Sequence, residues 1–182
     1  MKNKLSTLQR EDAVLVVIDV QERLLPTIAN KETLVDNIVR LIRFAKIIQL
    51  PVVLTEQQNL GSTVSQIKNE IPDLPALTKI EFNAFKCSEF VRRLNSLARG
   101  TLIITGLETH ICISQTALQA TSHFKVHVVS DAVSSRSTDN WHIALERMRQ
   151  NGITISSAEM VIYELLERAG TDEFKAALKL VK

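Results

Sequence analysis

Short apolar runs alternate with longer stretches of helical periodicity along the whole chain. The runs typical of buried strands are Ala13–Ile18, Val52–Thr55, Leu102–Thr105, Val126–Ser130 and Ile153–Ser156. A sixth run, Leu77–Phe82, is less regular because Thr78, Lys79 and Glu81 interrupt it. Strands that alternate with helices in this way predict a parallel sheet joined by crossover helices.

Amphipathic helices are predicted between these strands. The helical stripes cover Leu34–Ile48, Phe90–Leu97, Trp141–Met148, Met160–Ala169 and Asp172–Leu180. Pro51, Gly100 and Gly152 follow the first three stripes, where a helix is expected to end. The stretch Gln57–Ala76 lacks this periodicity, and we expect an irregular loop there that forms one wall of a pocket.

The pattern predicts one α/β domain over residues 1–182. We expect a doubly wound, mainly parallel six-stranded sheet in the order 3-2-1-4-5-6, with helices on both faces, as in a Rossmann-like three-layer sandwich. A chain of this length suffices for one sizeable core.

Composition excludes several classes of partner. The formal net charge is +2, with basic and acidic residues spread along the chain, so nucleic acid is not an expected partner. The apolar runs are much shorter than a membrane span, and the N-terminus lacks an apolar signal core, so no membrane association is expected. Two cysteines outside any CxxC motif predict free thiols in a cytoplasmic protein.

The sequence also gives no signature of a metal or a cofactor. No pair among the four histidines has HxxxH spacing on one helix. The five glycines form neither a GxGxxG nor a P-loop motif, so no nucleotide cofactor is expected.

The predicted topology brings two reactive side chains together. Ligands of doubly wound sheets bind at the carboxyl ends of the strands, where the winding reverses. Asp19 follows the first strand, and Cys112 follows the neighbouring fourth strand, near the start of a helix. A helix N-terminus would stabilise a thiolate at Cys112, and its free N–H groups could hold an oxyanion.

Lys79 is a third candidate, because a lysine inside a partly apolar strand needs either solvent or a buried partner. Beside Asp19 and Cys112 its cation would favour the thiolate, while Asp19 would act as general acid and then as general base. Taken singly, each residue has a simpler explanation: inert packing for the cysteine, a turn for the aspartate and solvation for the lysine. Cys87, at another predicted helix start, is interpreted as structural because no acid is placed near it.

Four segments resemble the isochorismatase-like hydrolase superfamily, which includes nicotinamidases and carbamoyl-amide hydrolases. They are Val16–Gln21, Thr78–Phe85, Gly106–Cys112 and Asp131–Ser137, the last followed by Ala144, Met148 and Gly152. The resemblance implies an Asp19, Lys79 and Cys112 catalytic triad and a cis peptide between Leu107 and Glu108. It further implies that the N–H groups of Glu108 and Cys112 bind the oxyanion, and that the protein is a homo-oligomer.

The resemblance also narrows the reaction. The Asp-x-His motif of metal-binding nicotinamidases is absent, because Thr55–Gly61 stands in its place, which indicates a metal-free branch. Members that cleave isochorismate lack the cysteine, so Cys112 implies hydrolysis of a small amide through an acyl-thioester. Candidate pocket residues are Leu24, Gln57, Phe82 and Phe85. A non-catalytic binding module and a thiol sensor remain as alternatives.

Overall fold

The sheet of the computed structural model, which describes residues 7–181, has six parallel strands. They are β1 (Ala13–Ile18), β2 (Val52–Gln57), β3 (Ala76–Lys79), β4 (Thr101–Leu107), β5 (Lys125–Ser134) and β6 (Thr154–Ser156). Their order is β3-β2-β1-β4-β5-β6, and every pairing is parallel, so the predicted topology is confirmed.

Seven α-helices connect and cover the strands. They are α1 (Lys31–Ile47), α2 (Ser65–Lys68), α3 (Ser88–Leu97), α4 (Ser114–Ala120), α5 (Thr138–Gln150), α6 (Ala158–Leu166) and α7 (Asp172–Val181). Short 3-10 turns lie at Leu25–Thr27 and Ala84–Lys86, and a π-helical turn covers Thr109–Ile113. In the part of the chain that the structure describes, no helix combines the length and the apolar character that a membrane span requires.

Two hydrophobic clusters flank the sheet, and β1 contributes to both. Alternate side chains of a strand point to opposite faces. Leu15 and Val17 pack with α1, α6 and α7, whereas Val16 and Ile18 pack with α3, α4 and α5. All six residues of β1 are buried, which explains why its sequence is a continuous apolar run rather than an alternating one.

Several predicted elements differ from the structure, among them β3, β5 and the Gln57–Ala76 stretch. β3 ends at Lys79, so Ile80 and Phe82 lie in an exposed loop. β5 continues past the polar Ser130 and Asp131, because Val133 and Ser134 pair with the end of β4 beyond a register shift. The Gln57–Ala76 stretch is not entirely irregular, since it contains α2.

Candidate active site

Asp19 directly follows β1 and adopts a left-handed backbone conformation, with φ of 54°. Its side chain is fully buried, and each carboxylate oxygen accepts a hydrogen bond from a side chain of another strand. Thr55 Oγ1 of β2 donates to Oδ1 at 2.7 Å, and Lys79 Nζ of β3 donates to Oδ2 at 2.5 Å. The parallel order of the three strands therefore brings these groups to one edge of the sheet.

Lys79 is buried at the end of β3, and oxygen atoms surround its ammonium group. Besides Asp19, Nζ donates to Gln57 Oε1 at 2.8 Å and to the carbonyl oxygen of Glu81 at 3.2 Å. Nζ also lies 3.8 Å from Cys112 Sγ. A buried ammonium requires such compensation, since removing it from water costs several kcal/mol. The structure thus brings Asp19, Lys79 and Cys112 together.

Gln21 holds the backbone of Gln57, whose side chain accepts a hydrogen bond from Lys79. It is fully buried, its amide nitrogen donates to the carbonyl oxygens of Gln57 at 2.9 Å and Gly61 at 2.7 Å, and its amide oxygen accepts from Gln57 N–H at 2.8 Å. These three bonds hold the end of β2 beside the site. No role was predicted for Gln21 from the sequence, although it stands only two residues after Asp19.

Cys112 lies in the π-helical turn between β4 and α4, and only 6% of its surface is exposed. Burial and the negative charge of Asp19 raise the pKa of its thiol to about 12, although the ammonium group of Lys79 acts in the opposite direction. The resting form at neutral pH is therefore the thiol. The expectation that the cation of Lys79 would favour a thiolate was wrong, because desolvation and the charge of Asp19 outweigh it.

Gly106 allows the loop of residues 106–112, which we call the Cys112 loop, to lie against the end of β1. A Cβ atom at this position would lie 2.0 Å from the carbonyl oxygen of Ile18. The backbone φ of +115° is also one that residues other than glycine rarely adopt. The peptide bond between Leu107 and Glu108 is cis, as the resemblance implied. The close approach is what brings Cys112 opposite Asp19.

The Glu108 side chain is buried and forms an ion pair with Arg136, which follows β5. The guanidinium Nη2 donates to Oε1 at 2.7 Å, and the Arg136 backbone N–H donates to Oε2 at 2.9 Å. Burial by itself would raise the pKa of Glu108, but these bonds outweigh it and hold that pKa below its usual value. Only the backbone N–H of Glu108 was predicted to act, and the contact between the Glu108 and Arg136 side chains was not predicted.

Asp19, Glu108, Cys112 and Arg136 line a cavity of about 320 Å³, which we call the active cavity. It is lined by Asp19, Leu24, Gln57, Gln58, Leu60, Phe82, Glu108, Ile111, Cys112 and Arg136. Three of the predicted pocket residues, Leu24, Gln57 and Phe82, are thus in the lining. Phe85 instead packs on Phe90 and Phe124, with ring centroids 5.3 and 5.8 Å away.

Among residues 7–181, no group of three or more histidine, cysteine or acidic side chains could hold a metal ion. His110, the histidine nearest to Cys112 in sequence, has its Nδ1 atom 3.0 Å from Ser135 Oγ. Both cysteines are free thiols, and Cys87 is half-buried.

Comparison with known proteins places these features in a family context. A family model of the isochorismatase domain matches residues 13–160. The secreted isochorismatase effector Isc1 of Phytophthora sojae is 38% identical, over 98% of this chain and 89% of its own.

Solved structures are similar over nearly the whole chain. The MAR1 ribonuclease of Caenorhabditis elegans superposes with a TM-score of 0.90 at 30% identity, covering 96% of this chain and 92% of its own. The YcaC gene product of Escherichia coli, described as an octameric hydrolase of unknown specificity, gives 0.91 at 28% identity, covering 98% and 91%. Both structures therefore share the fold of this chain over nearly its whole length.

Proposed function

The chain belongs to the isochorismatase domain family, and from that premise we propose that it is a hydrolase that uses Cys112 to cleave a C–N bond in a small amide. The family fold supports hydrolase activity in general. The observation that carries the finer proposal is that the buried side chains of Asp19 and Cys112 line the active cavity, with the buried Lys79 within hydrogen-bonding distance of both.

In the first half-reaction, Cys112 Sγ attacks the amide carbonyl carbon while its proton moves to the carboxylate of Asp19. The carbonyl π electrons move to oxygen, and the N–H groups of Glu108 and Cys112 hydrogen-bond this oxyanion. The C–N bond then breaks, Asp19 returns the proton to the leaving nitrogen, and a thioester remains on Cys112.

In the second half-reaction, the oxygen of a water molecule attacks the thioester carbonyl carbon, while Asp19 accepts a proton from that water. The C–S bond breaks, a carboxylic acid leaves, and the proton on Asp19 returns to the sulfur. The raised pKa of Cys112 supports this sequence, because a thiol that rests protonated needs a base at the moment of attack. Lys79 positions that base and lies close enough to offset the charge developing on sulfur.

The active cavity supports a small substrate. A volume of about 320 Å³ is at the lower end of the range for ligand pockets. Arg136 brings an exposed guanidinium to its lining, where Nε and Nη2 bind Glu108. A small polar amide fits this arrangement better than an RNA strand, since the sulfur is buried and the chain carries a net charge of only +2.

Trapping the acyl-enzyme tests this proposal. The protein is mixed with a panel of small amides, quenched in acid, and analysed by intact-mass and peptide mass spectrometry. We expect an adduct on the Cys112 peptide equal to the acyl group, absent in Cys112→Ala. Amide turnover with no adduct on Cys112, or an adduct on Cys87, would refute the thioester mechanism. No turnover of any amide would favour the binding-module alternative.

We further propose a homo-oligomer, which the octameric state of the YcaC protein supports. A reducing cytoplasm remains the predicted location, because both cysteines are free thiols. Hydrolysis is expected to need no metal and no cofactor, so exhaustive dialysis against a chelator should leave activity unchanged.

A further inference from the structure

A second cavity, of about 340 Å³, lies between the start of α1, the end of β5 and the start of α5. It is lined by Ala29, Asn30, Thr33, Leu34, Ser130, Asp131, Val133, Ser134, Thr138 and Trp141. None of these residues lines the active cavity. We call it the Trp141 cavity, and the hydrolase mechanism makes no use of it.

The inner part of the Trp141 cavity is apolar and fixed. Leu34 and Val133 are buried. The indole N–H of Trp141 donates to the carbonyl oxygens of Ser130 at 3.3 Å and Val133 at 3.1 Å. Because that N–H is already engaged, the ring adds only apolar π surface to the cavity. Such a lining favours an aromatic or aliphatic ligand held by packing.

The rim supplies neutral hydrogen-bonding groups. The hydroxyl-bearing Thr33 and Thr138 are exposed there. Asn30 is also exposed, and its side chain does not cap α1. Pockets that bind small molecules combine a mostly apolar wall with a few polar groups of this kind. A ligand with one hydroxyl or amide group would satisfy them.

The charges around the cavity favour a neutral ligand. Asp131 is the one charged side chain in the lining, and its Oδ1 accepts from the Ala158 N–H at 2.8 Å. Its carboxylate disfavours an anion. The starts of α1 and α5 carry partial positive charge, which disfavours a cation.

We propose that the Trp141 cavity is a second binding site, for a neutral molecule with a single aromatic ring and one hydroxyl or amide group. The ring packs between Leu34, Val133 and the indole, and the polar group meets the rim hydroxyls. The volume, near the lower limit for ligand pockets, is sufficient for a molecule of this size.

Trp141 itself reports on occupancy, because it is the only tryptophan of the chain. The protein is titrated with three matched probes, benzyl alcohol, benzylammonium and benzoate, while indole emission is excited at wavelengths that tyrosine does not absorb. We expect a saturable change with benzyl alcohol at a dissociation constant of about 1 mM or below. Both charged probes should bind at least about tenfold more weakly.

Two filling variants provide the control. Ala29→Leu and Thr33→Leu each add bulk at the cavity, and each should weaken benzyl alcohol about tenfold while circular dichroism shows the native fold. Thr33 is exposed on α1, so its replacement is expected to fold even if Ala29→Leu does not. Cys112→Ala should bind the probe like the parent protein, because Cys112 lines the other cavity.

Several results would overturn the proposal. They are the absence of a saturable change, equal affinity for the three probes, or unchanged affinity in a folded Thr33→Leu variant. An emission change that follows protein concentration rather than probe concentration would indicate that a second copy covers the cavity, and would also refute the site.

Discussion

At the scale of single residues, the proposed chemistry depends most on the protonation state of Cys112. Burial and Asp19 raise the pKa of its thiol to about 12, so in the proposed mechanism Cys112 is a poor nucleophile until a substrate carbonyl is in reach of both groups. Such an arrangement protects the sulfur from oxidants and alkylating agents between turnovers. Reactivity then depends on a base that is already hydrogen-bonded in place.

The raised pKa of Cys112 should control the rate at which iodoacetamide alkylates its thiol. At about pH 7.5, Cys112 should react more slowly than the half-buried Cys87, and its rate should rise steeply only above about pH 9 as thiolate forms. In Asp19→Asn the negative charge is gone, the pKa of Cys112 falls, and alkylation at neutral pH becomes faster. Peptide mass spectrometry measures both rates; a Cys112 rate that is already independent of pH near neutrality would contradict the raised pKa.

At the scale of elements, the contact between the ends of β1 and β4 depends on Gly106. Gly106→Ala should lower the free energy of unfolding by about 4 kcal/mol or more, because its Cβ would overlap the Ile18 carbonyl. Gly152→Ala is the matched control, since its φ is +79° with no atom within 4 Å, and should cost only about 1–2 kcal/mol. Urea unfolding measures both, and equal losses would show that the close approach is unimportant.

The Glu108–Arg136 ion pair joins the end of β5 to the Cys112 loop. Because the pKa of folded Glu108 lies below its usual value of about 4.5, its contribution to stability is present above that pH and is lost as the pH falls through the folded value. Arg136→Met should cost about 2 kcal/mol at neutral pH, a figure reduced because the arginine is exposed.

The sign of the pH dependence distinguishes this role from simple packing. With Arg136 replaced, burial raises the pKa of Glu108, so the variant should gain stability as the pH falls from 7 towards about 5. Adding Glu108→Gln to Arg136→Met should remove that gain and recover part of the lost stability. Thermal unfolding at several pH values tests this, and parallel profiles for the parent and Arg136→Met would count against it.

Strand order and the Asp19, Lys79 and Cys112 cluster were predictable, because apolar runs fix the strands and parallel topology fixes which ends meet. Other features of the fold and the site depend on contacts between residues far apart in the sequence. The continuation of β5 to Ser134 depends on pairing with β4, and no local pattern encodes it. Likewise, the raised pKa of Cys112 depends on its burial, and the Arg136 contact depends on where two separate loops meet.

At the scale of the whole molecule, the proposed homo-oligomer is tested by light scattering coupled to size exclusion. The subunit mass is 20.4 kDa, and we expect a species at a multiple of that mass that persists on dilution. A single species of 20.4 kDa at every concentration would contradict the assembly. If that monomer still hydrolysed an amide, a single chain would be sufficient to form the active site.

The most direct test of the cysteine mechanism compares ammonia or amine release from a panel of small amides by the parent protein, Cys112→Ala and Cys87→Ala. Loss of a covalent nucleophile is expected to lower kcat by at least about 10³-fold, with the fold retained, whereas Cys87→Ala should turn over like the parent. Retained activity in a folded Cys112→Ala variant would contradict the assignment of Cys112 as the nucleophile.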